Sequence, residues 1–168
     1  MAVKRQLRVL LDTNVWLDFF LRNRRGRETA EKLIRRGIRD DVCLLYPSQS
    51  VLDVFYQVGL AYKRLLREDG VEIDEAWGRA INAQAWEAVN MMREAATVVG
   101  MDESDLWLAF KYRELNSDLE DNLVLAAAER AHADYLVSSD ARLIAKASVP
   151  ALSPEDMLAY LQIWDDED

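Results

Sequence analysis

The sequence predicts an α/β fold, a three-layer α/β/α sandwich around a central, mainly parallel sheet of about four to five strands. Short apolar runs of strand length alternate along the chain with longer stretches of helical periodicity. Right-handed crossovers turn such alternation into parallel strands with helices on both faces. The chain has 168 residues and 51% hydrophobic content, enough for one core, and nothing in it marks a second. Two of the strand-like runs lead straight to an aspartate, Asp12 and Asp140. The fold itself brings both acids to the carboxyl edge of the sheet, where open α/β sheets carry their sites.

The elements follow in order. Residues 8–11 are the first strand, and Thr13 or Asn14 supplies the side-chain oxygen that starts a helix carrying Val15, Trp16, Phe19 and Phe20. Gly26 interrupts the chain, and a second helix with Ala30, Leu33, Ile34 and Ile38 on one side leads to a strand at 43–46 closed by Pro47. Ser48 or Ser50 caps a third helix that runs to Gly70, with Asp53 in its first turns. Asp74 caps a fourth, whose apolar face includes Trp77, Ile81, Ala85, Ala88 and Met92. These two helices form a long hairpin over about residues 50–93, with Trp77 and Trp86 as core or interface residues, core favoured.

A third strand at 97–99 precedes a helix that ends near Asn116. Next comes Asp118-Leu119-Glu120-Asp121-Asn122-Leu123-Val124-Leu125-Ala126-Ala127-Ala128, where a polar start gives way to residues apolar on all sides. A helix of that kind is buried on most faces. A fourth strand at 135–137 runs into Ser138-Ser139-Asp140; residues 149–152 are expected to add a fifth strand, and residues 154–162 a last helix. The whole is expected to be one domain over residues 1–164 with an acidic tail at 165–168.

Net charge is −9, which argues against a polyanionic partner, but the charge is uneven. Residues 1–39 carry +7 and the remainder −16. Arg22, Arg24, Arg25, Arg27, Lys32, Arg35, Arg36 and Arg39 either line an edge that holds a phosphate backbone or form a solvated loop and helix face. The single cysteine, Cys43, sits in an apolar run, so no internal disulfide forms and a reducing compartment is expected. No segment approaches the ~20 apolar residues of a membrane span. Residues 1–8 lack the apolar stretch of a signal peptide, which gives a cytoplasmic expectation with no membrane partner.

Four carboxylates carry the chemistry: Asp12, Asp53, Asp121 and Asp140, each after an apolar run or at the opening of a buried helix. An ionised carboxylate taken from water costs several kcal/mol unless paired, so a cluster of them calls for a hard cation such as Mg²⁺ or Mn²⁺. About four carboxylates can hold one or two such ions against a phosphodiester. Each acid also has a structural role open to it: Asp12 can cap the helix it precedes, Asp140 can start a turn, and Asp118, three before Asp121, is better suited to capping than to catalysis. His132 is the only histidine, which excludes ribonucleases that use a histidine pair; it is better suited to a helix end than to a metal. No GxxxxGK or GxGxxG loop exists, so nucleotide triphosphate chemistry is not expected. A phospho-acceptor domain would want a second acid at position 14, where Asn14 stands.

These motifs resemble those of the PIN-domain family, metal-dependent nucleases that include VapC-like toxin ribonucleases, over nearly the whole chain. Leu10-Leu11-Asp12-Thr13-Asn14-Val15 is similar to the family's opening strand, whose Asp binds metal and whose Thr and Asn support the site. Leu52-Asp53-Val54-Phe55-Tyr56 resembles the second acidic motif, commonly a Glu. Asp118-Leu119-Glu120-Asp121 resembles the third, with Asn122 in place of a small residue, and Leu136-Val137-Ser138-Ser139-Asp140 the fourth.

The resemblance implies a PIN-like fold and metal binding at Asp12, Asp53, Asp121 and Asp140, with Asp118 as a further candidate. It gives Thr13, Asn14 and Ser138 supporting hydrogen bonds; Arg22, Arg24, Arg25 and Arg27 are candidates for contacting RNA. It implies an Mg²⁺- or Mn²⁺-dependent endoribonuclease leaving a 5′-phosphate, the toxin of a type II toxin–antitoxin pair, with a small antitoxin partner and a homodimer. The alternative is a PIN-fold binding or regulatory module without turnover, which the acidity beyond residue 39 favours.

Overall fold

The computed structural model describes residues 5–166. Its five strands are β1 (Arg8–Leu11), β2 (Cys43–Pro47), β3 (Thr97–Val99), β4 (Tyr135–Val137) and β5 (Ala151–Leu152). They form one sheet in the order β3-β2-β1-β4-β5, and every pair is parallel. The chain steps outward from β1 through β2 to β3, then returns to the other side of β1 for β4 and β5. The order therefore reverses between β1 and β4, the place where open α/β sheets leave a crevice.

Side chains alternate across the strands, as the two-residue period requires. Val9, Leu11, Leu44, Tyr46 and Val137 pack on one face with Trp16 of α1 (Thr13–Phe20), Leu33 of α2 (Arg27–Arg39), Val54 of α3 (Ser50–Glu68), Met92 of α4 (Glu75–Ala95) and Met157 of α8 (Pro154–Asp166). Leu10, Leu45 and Leu136 point the other way, onto Leu108 of α5 (Glu103–Tyr112), Val124 to Ala128 of α6 (Leu119–Arg130) and Leu143 of α7 (Ala141–Lys146). The expected three layers are thus present. Gly37 brings α2 close to the sheet, since a Cβ there would stand 2.9 Å from the Leu44 side chain.

Several local expectations are corrected. Asp12 itself caps α1 by accepting the Thr13 amide, leaving the Thr13 and Asn14 side chains for other partners. Neither Ser48 nor Ser50 caps α3; Ser50 is buried inside its first turn. Helix α5 stops at Tyr112, short of Asn116, and α7 was not anticipated because six residues are too few to show a period. Helix α8 runs to Asp166 rather than to residue 162, while residues 167 and 168 of the expected acidic tail lie outside the described residues.

The α3–α4 hairpin forms, with Gly70 in the left-handed region (φ 72°) just past the end of α3 and Asp74 capping α4. Trp77 and Trp86 are not core residues: they are 42% and 62% exposed, and Trp86 packs edge-on against Phe55. Trp86 falls off the Ile81, Ala85, Ala88, Met92 stripe that α4 buries, whereas Trp77 continues that stripe but stays exposed in the first turn of the helix. Among the described residues no helix is long and apolar enough to cross a membrane.

Candidate metal centre

The centre forms at the carboxyl ends of β1 and β4. Asp12 follows Leu11, its backbone amide still bonded across the sheet to the Val137 carbonyl at 2.9 Å, so the ladder fixes its position. Its side chain is 6% exposed. One oxygen accepts the Thr13 amide at 2.7 Å and the other accepts Ser138 Oγ–H at 2.7 Å. Burial pushes its carboxyl up to about 6; the two hydrogen bonds oppose this, and the charges of Asp121 and Asp140 add to it.

Ser138, fully buried, is the hub of the centre. It donates to Asp12 and accepts from Asn14 Nδ2 at 3.1 Å and from the Asp140 amide at 3.0 Å. Asn14 Oδ1 accepts the Ser139 amide at 3.0 Å, so one side chain clasps both serines. Asp140 caps α7 through the Arg142 amide at 2.8 Å, with the Arg142 guanidinium 3.9 Å away. Thr13 Oγ1 and Ser50 Oγ lie 2.7 Å apart and bind α1 to the start of α3, where Asp53 stands half-buried. Burial raises the Asp53 carboxyl.

On α6, Asp118 takes the capping role, accepting the Glu120 and Asp121 amides at 2.9 and 3.1 Å. Asp121 is oriented by Asn116, whose amide nitrogen donates to it at 2.9 Å. Asn122 is buried and donates to the Asn116 carbonyl at 2.8 Å. In place of a small residue it fastens the loop before α6.

Sequence reasoning missed one acid of the centre. Glu120 is raised by burial first and then by the charges of Asp53, Asp12, Asp118 and Asp121, so it faces the same region from α6. At a helix start it reads as a dipole-complementing residue, and only its position opposite Asp53 and Asp12 shows otherwise. Asn116 was missed as well, since a lone asparagine between helices carries no distinguishing pattern.

The acids share a region without closing on a point: among the described residues no three His, Cys, Asp or Glu side chains converge tightly enough to hold a metal ion. Their chemistry nonetheless fits a hard divalent cation. Every donor is an oxygen, and among the described residues no Lys or Arg pairs with Asp12, Asp53, Glu120 or Asp121. Cys43 lies at the opposite end of the sheet, where β2 begins, and His132 is exposed beyond the end of α6 with φ 48°.

Of the expected RNA-contacting arginines, Arg24 pairs with the buried carboxylate of Asp18. Lys32 and Arg35 pair with Glu28 and Glu31 one turn earlier, and Arg36 and Arg39 with Asp40. Helix α2 packs against α8, and Lys32, Arg35, Arg36 and Arg39 line one hollow with Leu158 and Gln162.

The fold and the site together define an open, all-parallel α/β domain with acidic residues gathered at its switch point. A PIN domain family model matches residues 8–142, and the chain belongs to that family. By structure it is similar to PAE2754 from Pyrobaculum aerophilum, with a TM-score of 0.59 and 18% identity, over 94% of this chain and 90% of that one. A toxin-antitoxin complex from Klebsiella pneumoniae gives a TM-score of 0.56 and 14% identity over 87% and 97%. VapC20 from Mycobacterium tuberculosis, a sarcin-ricin loop cleaving toxin, gives a TM-score of 0.53 and 13% identity over 84% and 97%. None of the curated proteins matches the chain.

Proposed function

We propose that this PIN-domain protein is an Mg²⁺- or Mn²⁺-dependent endoribonuclease and the toxin of a type II toxin–antitoxin pair. The observation that supports the reading is the buried Asp12 carboxylate at the end of β1, pinned by the Thr13 amide and Ser138 Oγ, with no basic residue paired to it among the described residues. Asp12, Asp121 and Asp140 would hold the ions, with Glu120 adding charge from α6 and Asp118 left to its helix. Ions held there would supply the Lewis acidity that activates a water and offsets charge on the leaving oxygen of a phosphodiester. Asp53 binds or orients from α3. Ser138 holds the Asp12 carboxylate and the Asp140 backbone, Asn14 braces Ser138, and the Thr13–Ser50 bond keeps α3 in register with them. The family pattern implies a 5′-phosphate product.

The antitoxin rests on the solved neighbours, one of them a toxin-antitoxin complex. The homodimer is supported by apolar side chains left uncovered: Leu52, Tyr56 and Leu60 along α3, and Leu106, Trp107 and Phe110 on α5. A cytoplasmic location and a single domain over residues 1–164 belong to the same reading, the former resting on the lone unpaired cysteine. Purified protein incubated with single-stranded and structured RNA and Mn²⁺ tests the activity: cleavage is expected to vanish in Asp12→Asn and Asp140→Asn, and cleavage unchanged in both rules the reading out.

A second reading, a PIN-fold binding or regulatory module without turnover, is favoured by the splay of the acids. Ions bound without RNA cleavage would select it.

A further inference from the structure

The basic residues fall into two populations. Those on the outer face of α2, together with Arg79 and Arg130, are neutralised by nearby carboxylates. Among the described residues no carboxylate pairs with Arg25, Arg64 or Arg67, all exposed, nor with Arg22, Arg27 or Arg113, although the chain holds 30 acids against 21 basic residues. Where acids are in excess, unpaired arginines that line adjoining cavities leave those cavities open to an outside anion.

Arg25, Arg64 and Arg67 line two cavities joined by one loop. A cavity of about 420 Å³ between the end of α1 and the second half of α3 is lined by Leu21, Leu60, Arg64 and Arg67, with Glu68 its one acid. A second, of about 470 Å³, is lined by Arg24, Arg25, Ser138 and Ser139, with Asp18 and Glu155 as its acids. The loop between α1 and α2 joins the two, Leu21 lining the first and Arg24, Arg25 and Gly26 the second. Of the acids in the second cavity, Asp18 is already taken by Arg24 and Ser139 Oγ. Ser138, in its wall, is the residue that donates to Asp12. Along α3, Arg64 lies about 16 Å beyond Asp53 at ~1.5 Å per residue, and Arg67 one turn further.

We propose that Arg25, Arg64 and Arg67 hold the phosphate backbone of the RNA, which leaves the acid cluster past Arg25, crosses Leu21 and follows α3. The proposal rests on the nuclease reading and gives the substrate its path. It also resolves the acidity of the chain, because the grip needs only one unpaired strip and not a basic protein. An acidic peptide on the same strip would run its end into Asp12, Asp121 and Glu120, whereas a phosphodiester arriving there is the group the cluster is built to receive with its cations.

The test compares wild type, Arg64→Gln/Arg67→Gln and Asp12→Asn. Binding of a labelled single-stranded RNA is followed by anisotropy in EDTA across a range of KCl concentrations, and cleavage is measured in Mn²⁺. Loss of two phosphate contacts is expected to flatten the slope of log K against log salt by about 1.4, at ~0.7 per contact, and to weaken low-salt binding on the order of tenfold. The KM should rise by a similar factor with kcat retained, while Asp12→Asn keeps the wild-type slope and loses cleavage. A wild-type slope and KM in the double variant would overturn the proposal, as would intact RNA binding with loss of a protein partner alone. If wild type cleaves nothing, the nuclease reading fails, and the slopes still decide the path.

Discussion

Ser138 Oγ stands 2.7 Å from Asp12 Oδ2 and ties the ends of two neighbouring strands into one acidic site. The same oxygen receives Asn14 Nδ2 and the Asp140 amide, so three segments depend on one hydroxyl. Ser138→Ala leaves a buried carboxylate oxygen without its donor. Outer-shell partners of this kind are worth roughly 10–100-fold in metal affinity or activity, and an unsatisfied buried group costs about 1–3 kcal/mol. Mn²⁺ titration and cleavage kinetics of Ser138→Ala should show losses in that range; values within twofold of wild type would remove Ser138 from the site.

The raised carboxyl of Asp12 makes stability depend on pH with a definite sign. Its folded value, about 6, lies above the unfolded value of 3.8, so the favourable contribution of the protonated form is full below 3.8 and is lost as pH rises through 6. The difference of about two units corresponds to about 3 kcal/mol. Denaturant melts of metal-free wild type and Asp12→Asn should therefore shift relative to each other by about that amount between pH 3.5 and 7.5, in favour of the Asn variant at the higher pH. Added Mn²⁺ should stabilise wild type selectively. A stability difference flat with pH would mean that Asp12 carries no such strain.

Glu120 adds a negative charge opposite Asp53 and Asp12. Glu120→Gln should lower divalent-cation affinity several-fold, measured by calorimetry, and leave the α6 cap at Asp118 intact. Unchanged affinity would place Glu120 outside the working set.

How far the sequence disclosed this arrangement depends on whether a feature repeats or stands alone. β1 was legible because a short apolar run ending in an acid has few other uses. The caps at Asp74 and Asp118 were legible because an acid ahead of a periodic stretch satisfies free amides. Asp105 shows the opposite case: it is 2% exposed and pairs with Arg130, twenty-five residues away, which no local pattern announces. Glu120, Asn116 and the Thr13–Ser50 contact likewise exist only once α3 and α6 face β1. Trp77 and Trp86 misled because bulk suggests burial: Trp86 falls off the buried stripe of α4, and Trp77 is on it but in the exposed first turn.

Gly26 is fixed by contact with Asp18. A Cβ added there would lie 2.3 Å from Asp18 Oδ2 and 2.8 Å from Cγ, and that side chain cannot swing aside freely because Arg24 and Ser139 both hold it. Gly26→Ala should cost about 1–3 kcal/mol by overpacking, seen as a lower denaturation midpoint. Because the displaced contact touches Ser139, cleavage should fall too; a variant as stable and active as wild type would show the loop to be slack.

The central claim is that Asp12, Asp121 and Asp140 form one cation site despite their separation in the metal-free chain. Anomalous diffraction at the manganese edge from crystals grown with Mn²⁺ tests it most directly. A peak bounded by these three carboxylates, with Asp53 or Glu120 drawn toward it, is the expected result. Full Mn²⁺ exposure with no peak there, and with the acids still apart, would contradict it.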